Sequence, residues 1–190
     1  MRKGKKRDYG QILRKVVHLS TILIIPADIL SHELTVFGLA AVFAFYMLVA
    51  SMRTRGRSIP GASRFITWMS RKDERTSVLG PPTYMFLSLL AVLALFPPFA
   101  AYVAIIALSV GDTFAALAGS TIRGIRTVRD KTLAGSIGFF IPVFVIFYML
   151  MPPEKALVLA GVGALAELLS HRYDNLTVPF VTAMAAALIF

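Results

Sequence analysis

A chain of 190 residues that is 57% hydrophobic and only 16% charged, with a mean hydropathy of +0.73, falls outside the usual composition of soluble domains, which run about 45–50% apolar and about 25% charged. The absence of cysteine excludes disulfides, thiol nucleophiles and thiolate-ligated metal sites. The net charge of +10 has the sign expected of a nucleic-acid binder, but the charges sit in short segments between apolar runs, which excludes that reading and implies one membrane domain spanning 1–190.

Apolar runs near 20 residues mark spanning helices. Taken in order they predict seven, at 12–29, 33–52, 79–96, 99–120, 133–151, 155–170 and 176–190. The first follows a basic stretch, yet Arg14, Lys15 and His18 lie inside its opening turns and no small-residue cleavage pattern follows, so it reads as a helix and not as a signal peptide. The connections alternate in charge. Nineteen of the 20 Lys and Arg residues fall before residue 16, in 53–78, in 121–132 or at Arg172, and the turns at 30–32, 97–98 and 152–154 hold none. Seven spans place these two sets on opposite faces, and the positive-inside rule then puts the N-terminus in the cytosol. Most of the basic residues therefore serve orientation and contact with anionic headgroups. In the long loop 53–78, the stretch Ser58–Arg71 carries Ile59, Phe65, Ile66, Trp68 and Met69 among Arg64 and Arg71, the pattern of an amphipathic segment lying in the interface. Asn and Gln are nearly absent, only Gln11 and Asn175 occurring, a weak thermophile signature.

Ionisable groups at membrane depth are costly and mark function. The spans carry Asp112, Glu167 and His18, each expected toward the cytosolic end of its helix, with Asp174, Asn175, Lys131 and Arg123 on the same side. Carboxylates and cations brought to one layer suit Mg²⁺, which takes few carboxylates and keeps waters and phosphate oxygens, together with a triphosphate whose charge Lys and Arg offset. Small residues flank the acids, including Gly111, Gly119, Gly135, Gly138, Gly161 and Gly163, and permit close backbone approach. Each residue also has a plainer role available: an ion pair locking helices for Asp112 and Glu167, an orienting charge for Lys131, Arg14 and Lys15, an N-cap for Asp174 or Asn175, a solvated charge run for Arg71, Glu74 and Arg75.

Arg14-Lys15-Val-Val-His18, Gly111-Asp112-Thr-Phe-Ala115 through Gly119, Lys131-Thr132-Leu-Ala-Gly135-Ser136, Glu167 and Asp174-Asn175-Leu-Thr177-Val-Pro179 follow one another along the chain. In this order, with Arg71 to Arg75 before the third span, they resemble the CTP-dependent lipid-alcohol kinases, which include dolichol kinase, phytol kinase and the CTP-using diacylglycerol kinase. The resemblance covers nearly the whole chain and implies transfer of the γ-phosphoryl of CTP to the hydroxyl of a long-chain isoprenoid alcohol at the cytosolic interface of an integral membrane protein. It further implies catalytic roles for Asp112, Lys131 and His18. Arg14, Lys15, Arg71, Arg75, Gly119, Arg123, Thr132, Gly135, Ser136 and Asn175 would contact the nucleotide, and Asp112, Glu167 and Asp174 would hold Mg²⁺. A CTP:lipid-phosphate cytidylyltransferase shares these chemical needs. A small-solute transporter with Asp112 and Glu167 as coupling sites is the alternative from another class; its site belongs near the midplane, whereas these residues are expected at one face.

Overall fold

The computed structural model describes residues 9–57, 59–69, 78–122, 125, 131–170 and 173–190. All regular elements among them are helical: α1 (Tyr9–Ser20), α2 (Ile24–Leu30), α3 (His32–Thr54), α4 (Ala62–Met69), α5 (Pro81–Leu95), α6 (Pro98–Ile106), α7 (Asp112–Thr121), α8 (Leu133–Leu150), α9 (Pro153–Leu169) and α10 (Asp174–Ile189). A 3₁₀ turn, Thr21–Leu23, joins α1 to α2, and a π-turn, Ala107–Gly111, joins α6 to α7. Helices thus occupy all seven apolar stretches.

The boundaries have local causes. Pro26 lacks the N–H that would reach the carbonyl of Ile22, and the rod tightens to 3₁₀ there. Ser31 is extended and its hydroxyl accepts from Leu34 N–H, so α3 begins at His32. Proline stands in the first turn of α5, α6 and α9, where its fixed φ suits helix and its missing N–H is not needed. Gly56 and Gly61, at φ 73° and 83°, make the turns that lead from α3 into α4.

Three rods are long and apolar enough to cross a membrane: His32–Thr54, Pro98–Thr121 and Leu133–Leu150. Pro81–Leu95 and Asp174–Ile189 are shorter apolar helices. The rod Pro98–Thr121 is the axis of the bundle, with 72% of its apolar window buried, against 11% for His32–Thr54 and 22% for Leu133–Leu150. The peripheral helices leave Leu34, Phe37 and Phe45 of α3 and Ile141, Val145 and Met149 of α8 exposed, the apolar surface expected of a lipid-facing wall. Around the axis, α7 packs on α8, α8 on α9, α9 on α10, and α10 on α5 and α6, while α1 packs on α4 and on the π-turn.

All five residues of the π-turn are buried. The ring of Phe139, fully buried, lies between Gly111 and Gly163: a Cβ added at Gly111 would stand 2.3 Å from the ring, and one at Gly163 would stand 3.0 Å from it. The extra residue of a π-turn disrupts the regular ladder. Here Ser109 Oγ donates to Ile105 O at 2.7 Å and Thr113 Oγ1 to Ser109 O at 2.7 Å, keeping local carbonyls satisfied.

Candidate functional site: two lysine–carboxylate clusters

The π-turn ends at Gly111, so the acid singled out by the sequence, Asp112, is the first residue of α7, with its side chain 15% exposed. Lys15 of α1 reaches it across the bundle. Its Nζ lies 2.6 Å from Asp112 Oδ2 and 3.1 Å from the Asp112 carbonyl oxygen. His18, one turn further along α1 and on the same face, places Nδ1 3.3 Å from the same carboxylate oxygen. That approach is electrostatic: His18 Nδ1 is buried and finds no hydrogen-bond partner among the described residues. Lysine is thus the partner that binds Asp112, and histidine stands beside the pair.

A second cluster is built at the ends of three helices. Lys131, just before α8, donates to Glu167 Oε1 of α9 at 2.5 Å and to Asp174 Oδ2, the first residue of α10, at 3.4 Å. Glu167 is 4% exposed, and its Oε2 has no partner among the described residues. Burial pulls the Lys131 ammonium down, but the carboxylates of Glu167 and Asp174 outweigh it and hold its pKa above the ordinary lysine value. Asp112 contributes to the same effect, which places the two clusters within electrostatic reach of each other.

The surrounding residues hold this arrangement in place. Thr132 caps α8, its Oγ1 accepting from Gly135 N–H at 3.0 Å, and Ser136 Oγ is buried without a partner among the described residues. Asn175 ties α10 to α5: its Nδ2 donates to Pro81 O at 3.0 Å, and its carbonyl accepts from Ser88 Oγ at 2.7 Å. The N-cap falls one residue before Asp174, at Tyr173, whose side chain makes no capping hydrogen bond; Asp174 Oδ1 accepts from Asn175 N–H at 3.0 Å in the first turn, while its Oδ2 faces Lys131.

The close backbone approach expected of the glycines holds for three of them. A Cβ at Gly119 would stand 2.9 Å from Thr132 Oγ1, and one at Gly135 would stand 3.1 Å from the same atom and 3.3 Å from Ala115 O. A Cβ at Gly138 would meet Ala118 at 2.5 Å. These three let α8 press against α7. Gly161 approaches nothing within 4 Å and has no packing role.

Of the residues singled out, Lys15, His18 and Asp112 come together, as do Lys131, Glu167 and Asp174, with Thr132, Gly135, Ser136 and Asn175 on the adjoining helix starts. Arg14 lies on α1 beside Lys15. Arg71, Arg75 and Arg123 lie outside the described residues, as do the side chains of Arg64, Phe65 and Trp68. Among the described residues no three acid or imidazole side chains gather into a ready-made metal cage; each carboxylate faces a lysine instead. Asp112 stands nine positions before Thr121, the last residue of α7, about 14 Å along the axis at the helical rise of about 1.5 Å per residue.

Sequence reasoning missed one buried acid. Asp28, in α2 at the opposite end of the bundle, is 6% exposed; its Oδ2 accepts from Tyr102 Oη at 2.8 Å and its Oδ1 lies 2.9 Å from His32 Nδ1. The signal was present, since Asp28 lies within the first apolar run with His32 four residues on, but a turn follows at once and an acid there reads as a helix end. No protein-family model matches the chain, and no curated protein or solved structure matches it either.

Proposed function

We propose that this chain is a membrane-embedded phosphotransferase of the CTP-dependent lipid-alcohol kinase type, acting on a long-chain isoprenoid alcohol. The observation that carries the reading is the convergence of Lys15, Lys131, Asp112, Glu167 and Asp174, from separate segments, into two compensated clusters toward one end of the bundle. All seven apolar rods cross the bilayer in this reading, with the N-terminus and the charged end in the cytosol, as the distribution of Lys and Arg requires.

The chemistry follows from the pairing. Lysines poised on buried and half-buried carboxylates are a stored set of charges: a polyanion can take over the ammonium groups while a cation takes over the carboxylates. The chemistry of the donors fits Mg²⁺, which takes one or two carboxylates and keeps its waters and phosphate oxygens: Glu167 and Asp174 share Lys131, Glu167 Oε2 is buried with no partner among the described residues, and Asp112 supplies a further hard oxygen from the neighbouring cluster. When bound, Mg²⁺ would neutralise phosphate charge. Lys15 and Lys131 would offset the charge on the transferred phosphoryl. Asp112, with His18 beside it, would accept the proton of the attacking hydroxyl. The choice of CTP as donor rests on the motif resemblance.

The test is transfer of label from γ-labelled CTP to prenols by purified protein with Mg²⁺. Transfer is expected, and Asp112→Asn should lower it by about 100-fold or more. Label passing from the α-phosphate of CTP to a lipid phosphate would replace the kinase with a cytidylyltransferase. Absence of label transfer in both assays would sink both enzymatic readings and leave a solute transporter with a coupling acid on the rod Pro98–Thr121.

A further inference from the structure

Only two side-chain amides occur in the chain, Gln11 and Asn175, and Asn175 is 4% exposed, next to Asp174 of the second cluster. Its Nδ2 donates to Pro81 O, at the start of α5, at 3.0 Å. Four residues on stands Pro179, inside α10. A proline has no N–H for the carbonyl four residues before it, so the Asn175 carbonyl lacks the bond that a helix would give it. Ser88 Oγ of α5, fully buried, donates to that carbonyl at 2.7 Å instead. The spacing of Asn175 and Pro179 thus makes a two-way tie, in which side chain and main chain both bond to α5. The rings of Tyr84 and Tyr173 meet edge to face at 5.2 Å between the same two helix starts. The start of α5 is itself held, since Thr83 Oγ1 donates to Val78 O at 2.7 Å. The start of α10 has no side-chain cap, and an uncapped first turn frays. Its order comes from α5.

We infer that Asn175 is a positioning residue: it fixes the first turn of α10 on α5 so that Asp174 holds Lys131 beside Glu167, and it serves the site without touching the nucleotide. The inference rests on the phosphotransferase reading above and reassigns a residue that the motif resemblance gives to nucleotide contact. Asn175 N–H donates to Asp174 Oδ1 at 3.0 Å, and Asp174 Oδ2 accepts from Lys131 Nζ, which also donates to Glu167 Oε1. The Nδ2 and the carbonyl of Asn175 are both committed to α5. An amide is needed at this position because the partner is a carbonyl, and a carboxylate of the same shape has no hydrogen to donate.

The experiment is the prenol assay above, read as kcat and KM for CTP, with the thermal midpoint of each variant. Asn175→Leu keeps the shape and removes the amide. Its kcat should fall about 10- to 100-fold, as it does when a reacting group is misplaced, while KM for CTP moves by less than about threefold, because Lys131 acts on the phosphoryl in transfer. An unchanged kcat with KM raised about tenfold or more would make Asn175 a nucleotide contact and overturn the inference. Ser88→Ala orphans the Asn175 carbonyl and should lower both the midpoint and kcat. Adding Pro179→Ala gives that carbonyl an N–H within α10; the midpoint should recover and kcat should not, since the tie to α5 stays broken. Recovery of kcat together with the midpoint would reduce the tie to plain stability and overturn the inference. Asn175→Leu and Lys131→Met act on opposite sides of Asp174, so together they should lower the midpoint by less than the sum of their separate falls. Additive falls would overturn the inference whether or not the parent transfers label. A parent that transfers none, with falls that are not additive, would sink the phosphotransferase reading and keep the tie.

Discussion

Replacing Lys131 by Met removes the partner of a carboxylate that is 4% exposed and whose second oxygen already has no partner among the described residues. Breaking a buried pair from one side costs about 3–5 kcal/mol, because the remaining charge is stranded. The Lys131 side chain is 21% exposed, so water relieves part of that, and the low end, about 3 kcal/mol, is the expected loss. For a protein of this size a change of about 1 kcal/mol moves the midpoint by about 2–4 °C, giving a fall of about 6–12 °C. Adding Glu167→Gln to Lys131→Met should restore most of it, since the stranded charge is gone. The assay is the apparent midpoint of the parent, both single variants and the double variant, by loss of the monodisperse peak after heating in one detergent. Equal midpoints for Lys131→Met and the double variant would show that the two side chains are not coupled in the folded protein. The pH dependence has a definite sign. The folded-state pKa of Lys131 is raised, so its stabilisation is fully present below the unfolded lysine value of about 10.4 and is lost as pH climbs through the higher folded value. The midpoint gap between parent and Lys131→Met should hold from neutral pH to about 10 and close above that.

Gly111→Ala places a methyl 2.3 Å from the buried Phe139 ring and should destabilise by about 1–3 kcal/mol through overpacking, whereas Gly161→Ala meets nothing within 4 Å and should be neutral or stabilising by up to about 1 kcal/mol; the two midpoints, measured side by side, check both. Tyr102→Phe removes the hydroxyl that Asp28 Oδ2 accepts from and should cost about 1–3 kcal/mol, recovered in part when Asp28 is also made Asn. The chain has no cysteine, so Ser31→Cys and Thr54→Cys each introduce a sole thiol at opposite ends of α3; a membrane-impermeant maleimide added outside intact cells should label the first and spare the second, and the opposite pattern would invert the topology.

The helices were legible because apolar run length and proline punctuation act locally. Pro81, Pro98 and Pro153 stand in the first turns of their helices, and Ser31 marks a start through its own hydroxyl. The acids were legible one by one, because a carboxylate inside an apolar run is conspicuous. Their partners were not. Nothing in a 3.6-residue period says that Lys15 closes on Asp112 and Lys131 on Glu167, since these depend on which helices become neighbours. The π-turn before Asp112 was also hidden: Ala107–Gly111 has the composition of an ordinary apolar helix, and only the packing of Phe139 against Gly111 distinguishes it. Small residues could be flagged but not sorted, and neighbours alone separate Gly111, wedged on a ring, from Gly161, wedged on nothing.

The separation of 97 positions from Lys15 to Asp112 also bears on how such a chain is made. A ribosome adding about 5–20 residues per second delivers the lysine on the order of five to twenty seconds before the aspartate. Throughout that interval α1 holds an ammonium without the carboxylate it meets in the folded protein, and the rod Pro98–Thr121 then arrives with an acid that disfavours insertion by about 2.5–3.5 kcal/mol at a helix centre. The contact that compensates the acid is therefore also one that rewards docking the late central rod against the first helix. Weakening it should show first in newborn chains, as slow or failed insertion and prompt degradation, before any deficit is measurable in the protein that survives.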